Sequence, residues 1–288
     1  MHHVDSIRIV EVGPRDGLQN EQEIIPTEQK IAFVEALSQT GLKEIEAGAF
    51  VSPKWIPQLA DSDEVFGKMR RVPGVLYSAL VPNEKGFERA RGAGAEKIAV
   101  FTAASETFNK KNINATIAES IERFEPVLRM AHGAQLPVRG YVSTAFWCPY
   151  EGKIEPKPVV DVSKRLLDLG VRELSIGDTI GKASPDEVKA LLDALLPIAG
   201  AGRVAMHFHD TYGRAIENCR TSYKQGIRIF DSSAGGIGGC PYAPGASGNV
   251  STQALVDAFP GSGVDRAALD AASNLVRSRL KARRPVST

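Results

Sequence analysis

Short apolar runs of strand character recur eight times along this chain, and a longer segment with helical spacing of its apolar residues follows each of them. The runs lie near residues 7–12, 44–47, 75–81, 97–102, 138–143, 173–177, 204–209 and 229–232. Parallel neighbours need a crossover long enough to carry a helix, so this alternation predicts a parallel sheet covered by helices. Eight repeats without a break in composition favour an α/β fold closed as a (β/α)8 TIM barrel over an open doubly wound sheet. The helices have legible ends. Ser184-Pro185-Asp186-Glu187 spells a capping box with proline at the first helical position, ahead of a stripe of Val188, Leu191, Leu192 and Leu195. Val159, Val162, Leu166 and Leu169 form a second stripe closed by Gly170, and Gly41 and Gly94 end their helices in the same way. Such stripes are read as core.

With 288 residues, 43% hydrophobic and 24% charged, the chain has the size and balance of one catalytic domain. We expect the barrel over about 7–260 and a C-terminal helical extension over about 264–284. A net charge of +1 offers no polyanion-binding surface, so nucleic acid is not an expected partner. Three cysteines, Cys148, Cys219 and Cys240, with no secretory apolar region, predict reduced thiols and a cytoplasmic location. The first strand near Ile7 leaves no room for a leader ahead of the fold, and no apolar run reaches the ~18 residues of a membrane span. A homo-oligomer is compatible with all of this. The basic run Arg277, Arg279, Lys281, Arg283 and Arg284 reads as a solvated helix end, favourable to the helix dipole.

In such a barrel the site lies at the carboxyl ends of the strands. The polar residues gather there: Asp16 follows the first strand, Glu46 ends the second, Asp178 the sixth, and His207 and His209 the seventh. Alternation in a strand sends His207 and His209 to one side with Phe208 to the other, so two imidazoles can share a cation. With Asp16 beside them the donor set mixes nitrogen and oxygen, which suits magnesium, manganese or another divalent ion better than a structural zinc site, although zinc also accepts such ligands.

Arg15 precedes Asp16 in a turn opened by Gly13-Pro14 and closed by Gly17. Its guanidinium cannot lose its proton, so it is either a fixed electrophile for a carbonyl or carboxylate oxygen or half of a strand-end ion pair. Glu46 shares the ambiguity, as an acid that orients Arg15 or one that carries a proton. The loop after the eighth strand, from Gly235 to Asn249, is rich in glycine and reads as a mobile lid with Cys240 as its one reactive group. No helix opens directly from those glycines, and no ribose-binding acid follows at the usual distance, so the loop does not read as a dinucleotide fingerprint. Asn249 either caps the helix that follows or lends its amide oxygen to the metal. Lys110 and Lys111 are the best basic pair for an anionic substrate arm, with a solvated helix face as the plainer alternative.

Taken in order, EVGPRDGLQNE at the start, FVSPKW at residues 50–55, KKNIN at 110–114, GYVS and CPYEG within 140–152, GDTIG at 177–181, HFHDTYG at 207–213 and GGCPYAPGASGN before the last helices closely resemble the 3-hydroxy-3-methylglutaryl-CoA lyases. The resemblance covers nearly the whole chain and places it within the metal-dependent TIM-barrel lyases and acyl-condensing synthases. It implies cleavage of an acyl-CoA thioester, 3-hydroxy-3-methylglutaryl-CoA, to acetoacetate and acetyl-CoA with a divalent cation and no redox cofactor. The implied metal ligands are Asp16, His207, His209 and Asn249, and the implied catalytic residues are Arg15, Asp16, Glu46, His207 and Cys240. Substrate contacts carried over are Arg15, Lys111, Asn112, Tyr141 and Asp178. The chain departs from the pattern where Gln22 replaces a lysine, Ala49 a serine, and Phe146-Trp147 smaller residues. Two aromatics there either narrow the acyl pocket or pack beneath it, which leaves a related substrate such as citramalyl-CoA open. A condensing synthase, whose relatives usually continue into a C-terminal regulatory region, and a non-catalytic acyl-CoA-binding barrel are the remaining alternatives. The second of these should have lost the arginine or the metal positions, and neither is lost.

Overall fold

The structure is a computed structural model that describes residues 6–21, 23–238 and 248–281. Its ten strands are β1 (Arg8–Glu11), β2 (Glu44–Ala49), β3 (Leu76–Leu80), β4 (Lys97–Ala103), β5 (Val138–Ser143), β6 (Trp147–Cys148), β7 (Gly152–Lys153), β8 (Glu173–Asp178), β9 (Val204–Phe208) and β10 (Ile229–Ser232). Eight of them, all but β6 and β7, are parallel and close in the order β1-β10-β9-β8-β5-β4-β3-β2. This is the expected barrel. Each of the eight lies within a few residues of its predicted run, because apolar periodicity and the glycines that end the helices are local signals. The sequence does not announce the β6–β7 hairpin, since two residues a side carry no periodicity.

The principal helices are α1 (Thr27–Ser38), α2 (Ser62–Lys68), α3 (Glu84–Gly92), α4 (Glu106–Ile113), α5 (Ile117–Gly133), α6 (Pro156–Asp168), α7 (Pro185–Ala199), α8 (Ala215–Lys224), α9 (Thr252–Ala258) and α10 (Arg266–Lys281). The capping box of α7 forms as predicted: Ser184 Oγ accepts from Glu187 N, and Glu187 accepts from Ser184 N. Gly170 ends the α6 segment at φ +94°, a conformation that other residues rarely adopt. Outward-pointing strand side chains and the inner faces of the helices form one continuous apolar layer, from Ile9 and Phe33 through Val100, Leu166 and Leu192 to Phe230. The barrel interior differs. Arg8, Glu44, Lys97, Arg139, Glu173 and Asp231 meet there in ion pairs beside a small apolar cluster of Val10, Val12, Ala205 and Ile229, so the fold brings charge to the axis.

Asn249 does not cap the helix that follows it. Ser251 takes that place, accepting from Ala254 N, and α9 opens at Thr252. Cys240 and the stretch 239–247 of the loop expected to act as a lid, the position of Gln22 and the terminal Arg283 and Arg284 lie outside the described residues.

Candidate active site

At the end of β1 the segment Gly13–Gly17 makes a single π-helical turn that presents Arg15 and Asp16 to the barrel mouth. A buried acid beneath it sets the turn. Glu11 Oε1 accepts from Gly13 N at 2.8 Å and Ala234 N at 2.9 Å, while Oε2 accepts from Thr252 Oγ1 at 2.6 Å. Burial pushes Glu11 up to about 7 against those three donors. Glycine is required at 13, where a Cβ would stand 2.6 Å from Glu11 Oε1, and at 17, where it would meet Ile237 and Ser233 side chains at 2.7 Å.

Arg15 is only 4% exposed. Its Nε donates to Glu46 Oε2 at 2.7 Å and its Nη1 to Asp16 Oδ1 at 2.8 Å, and its guanidinium carbon lies 5.0 Å from the centre of the Tyr141 ring. Burial opposes the charge, but Glu46 and Asp16 outweigh it and raise the pKa further. Glu46 also accepts from Tyr141 Oη at 2.8 Å, so Arg15, Glu46 and Tyr141 form one buried unit. Burial, reinforced by Glu46, pushes the Tyr141 phenol well above its ordinary value.

His207 and His209 project to the same side as alternation requires, with ring centres 5.4 Å apart. One donor atom each from Asp16, His207 and His209 lies within 4.8 Å of the others, making a three-ligand cluster. The two imidazoles have unlike surroundings. Nδ1 of His207 is 3.3 Å from Asp231 Oδ2 and its Nε2 is 3.9 Å from Asp16 Oδ2. Burial works against its protonation, yet the bond to Asp231 and the charge of Asp16 raise its pKa. His209 Nδ1 is buried without a hydrogen-bond partner among the described residues. Burial, with His207 beside it, depresses His209 to about 4, which leaves a neutral ring with a lone pair to offer. Asp16 is held at about 2, because Arg15 and both histidines overcome its burial.

Asn249 borders the cluster: its backbone bridges His209 and its Nδ2 donates to Asp16 Oδ2 at 2.9 Å. Asp178 has both oxygens engaged by the turn that follows it, accepting from Lys182 N at 3.1 Å and Ala183 N at 2.9 Å, and burial lifts it to about 6. Lys111 and Asn112 are exposed on α4, and Lys111 Nζ sits 4.2 Å from the Tyr150 ring centre.

Phe146 packs into the apolar layer outside the barrel. It is 3% exposed and stacks at 6.3 Å on Phe208, the residue that alternation sends outward between the two histidines. Trp147 turns to the α7 cap, donating to Glu187 at 3.3 Å beneath Lys182. Sequence reasoning missed Glu11, Ser175, Arg139 and Asp231. The available signal was a polar residue at an inward position of an otherwise apolar strand.

The HMGL-like family model matches residues 6–277. The chain belongs to that family. Within it, the cytoplasmic 3-hydroxy-3-methylglutaryl-CoA lyase of Rattus norvegicus is 52% identical over 259 residues, 90% of this chain and 76% of that protein. The crystal structure of the HMG-CoA lyase from Brucella melitensis is 51% identical and superposes with a TM-score of 0.94 over 96% of this chain and 99% of its own. An HMG-CoA lyase from Acinetobacter baumannii in complex with coenzyme A and 3-methylmalate is 37% identical, with a TM-score of 0.91 over 100% and 98% of the two chains. Membership of the HMGL-like family makes this a carbon-carbon lyase. No helix among the described residues is long and apolar enough to cross a membrane.

Proposed function

We propose that this lyase cleaves 3-hydroxy-3-methylglutaryl-CoA to acetoacetate and acetyl-CoA by a retro-aldol reaction at the Asp16, His207 and His209 cluster. One juxtaposition carries the reading: three metal-type donors within 4.8 Å of one another, beside a buried guanidinium that Glu46 holds in place. The names of the relatives point the same way.

The cluster fits a divalent cation on its own chemistry. Among the described residues His209 offers a buried, unpartnered nitrogen, Asp16 remains an anion, and no thiolate takes part. Asp16, His207, His209 and Asn249 would hold the ion, with magnesium or manganese suited to such a mixed donor set. When bound, the cation supplies Lewis acidity at the tertiary hydroxyl of the substrate, lowering the cost of its deprotonation.

The remaining work belongs to the chain's own groups. Asp16, whose Oδ2 lies 3.9 Å from His207 Nε2, takes up the hydroxyl proton, since both nitrogens of His207 are committed to Asp231 and the cation. The O–H electron pair becomes the new carbonyl of acetoacetate, and the pair from the broken carbon-carbon bond passes to the thioester as an enolate. Arg15 faces that enolate oxygen with a charge already ordered by Glu46 and Tyr141, so little reorganisation is needed as the negative charge develops. Protonation of the enolate carbon releases acetyl-CoA, a step to which Cys240 is assigned by resemblance. Lys111 and Asn112 guide the anionic arm of the thioester from the rim, and Asp178 orders the turn facing it. The catalytic unit is the whole barrel, in a cytoplasmic setting that the buried, unpaired Cys148 and Cys219 suit.

A second reading, a lyase for a related hydroxyacyl-CoA such as citramalyl-CoA, draws support from the relative whose complex contains 3-methylmalate, a different hydroxy diacid. Release of acetyl-CoA from a panel of hydroxyacyl-CoA thioesters, with and without chelator, decides between them. We expect 3-hydroxy-3-methylglutaryl-CoA to be turned over fastest, chelation to abolish activity, and magnesium or manganese to restore it. Activity that survives complete metal removal overturns the mechanism, whereas a strong preference for citramalyl-CoA overturns the substrate alone.

A further inference from the structure

We infer that Asp231, on the strand beside the metal cluster, is a positioning residue that fixes the tautomer of His207 and thereby presets one metal ligand before any ion arrives. The inference rests on reading Asp16, His207 and His209 as a metal site.

Asp231 and His207 are register partners on β10 and β9, so their side chains share the barrel interior. Asp231 is 1% exposed, and a carboxylate so buried must have its lone pairs satisfied. Three strands supply the donors. Arg139 from β5 donates to Oδ1, Ser175 from β8 donates to Oδ2 at 2.7 Å, and His207 from β9 completes Oδ2 at 3.3 Å. Neutralising the charge would need only Arg139. The serine and the histidine instead share the oxygen that Arg139 leaves, so the carboxylate is held at both oxygens and its orientation toward His207 is fixed.

An ionised carboxylate accepts hydrogen bonds and cannot donate them. Nδ1 of His207 must therefore carry the hydrogen, which leaves the lone pair on Nε2, the nitrogen that faces Asp16. His209 has no equivalent arrangement, because its Nδ1 finds no partner among the described residues. One imidazole of the pair is thus set by the protein and the other is left to be set by the ion. The Arg139 end of the chain runs on through Glu173 at 3.1 Å to Lys97, so the carboxylate is anchored to the barrel floor as well as to the site.

The test compares Asp231→Asn and Ser175→Ala with wild type in two readouts: 15N shifts of the His207 ring in metal-free protein, assigned against His207→Ala, and Mn2+ affinity by electron paramagnetic resonance. The amide that Asp231→Asn introduces can turn its N–H toward Nδ1 and favour the opposite tautomer. We expect wild type to hold the hydrogen on Nδ1, Asp231→Asn to move it toward Nε2, and the Mn2+ dissociation constant to rise by ~10- to 100-fold. Ser175→Ala keeps the charge and loosens the carboxylate, so a smaller rise in the same direction is expected; this variant decides the matter if Asp231→Asn does not fold. Unchanged tautomer and affinity in the folded variants overturn the inference and reduce Asp231 to a counter-ion for Arg139. Failure of the wild-type protein to bind Mn2+ or Mg2+ at all overturns the metal reading itself and this inference with it.

Discussion

At the amino end of the barrel Arg8, Glu44, Lys97, Glu173 and Arg139 answer one another in closed ion pairs, whereas at the carboxyl end Arg15, Asp16, Glu46, His207 and His209 leave donor atoms unspent. Lys97 Nζ lies 2.8 Å from both Glu44 Oε1 and Glu173 Oε1, and Arg139 Nη1 lies 3.1 Å from Glu173. Among the described residues Glu44 Oε1, Arg139 Nε and Arg139 Nη1 lack a hydrogen bond, but Glu44 Oε1 and Arg139 Nη1 sit at ion-pair range of an opposite charge and Nε belongs to the same paired guanidinium. At the mouth, Glu46 Oε1 and His209 Nδ1 are buried without a hydrogen-bond partner among the described residues. Density of charge is therefore a poor marker of chemistry in this molecule. What separates the two ends is whether lone pairs remain to meet something from outside.

Substitutions at the two ends should split stability from turnover. Lys97→Met leaves two buried carboxylates short of a partner, and we expect a loss of ~3–5 kcal/mol, or about 10 °C in melting temperature. Turnover per folded molecule should stay within about twofold, since no reacting group has moved. His207→Ala should do the reverse, lowering turnover by ~10² or more while the protein melts within a few degrees of wild type. Thermal melts and steady-state rates on the same samples check both. A folded Lys97→Met protein without activity would show that floor and mouth act as one unit, and the comparison would fail.

The acid beneath the Arg15 turn sharpens the contrast through pH. Glu11 is raised from 4.5 to about 7 in the folded protein, so between those values the folded state binds a proton that the unfolded state has already released. Stability from this group is then greatest below about pH 4.5, falls as pH rises through the window, and is lower by about 3 kcal/mol above pH 7. Asp16, lowered from 3.8 to about 2, has the opposite sign: it adds stability above about pH 4, lost as pH falls through 2. Glu11→Gln keeps an oxygen for Gly13 and Ala234 and an amide for Thr252, so it should fold and lose the decline between pH 4.5 and 7. Urea unfolding at pH 5 and pH 7.5 measures it. An undiminished decline in the variant would place the titrating group elsewhere, with Asp178, raised to about 6, the next to examine.

The eight barrel strands were legible because strand period, helix period and terminal glycines are written within about a dozen residues. His207 and His209 were legible for the same reason, two residues apart on one strand. Their relation to Asp16 needed the further rule that barrel sites gather at the carboxyl ends of strands. Asp231, Ser175 and Arg139 were not legible as a group, because their contact depends on the register between strands separated by dozens of residues. No local pattern encodes that register. Asn249 shows the same limit in miniature: beside Ser251 the sequence offers two helix caps, and the contacts to His209 and Asp16 that draw Asn249 to the cluster are long-range.

Phe146 supplies the smallest expected effect and a direct check on what shapes the acyl pocket. The sequence offered two readings, a wall of the pocket or packing beneath it, and the ring stacked on outward-facing Phe208 favours the second. It belongs to the apolar layer between barrel and helices, on the far side of the strand from the histidines. Phe146→Leu should then cost about 1 kcal/mol of stability through imperfect repacking. The ratio of kcat/KM for 3-hydroxy-3-methylglutaryl-CoA over citramalyl-CoA should stay within about twofold, because a residue that does not line the pocket cannot discriminate between substrates. A side chain that did line it would shift the ratio by ~10-fold or more when several carbons are removed. A shift of that size would move the determinant of acyl preference from the mouth to the packing layer behind it.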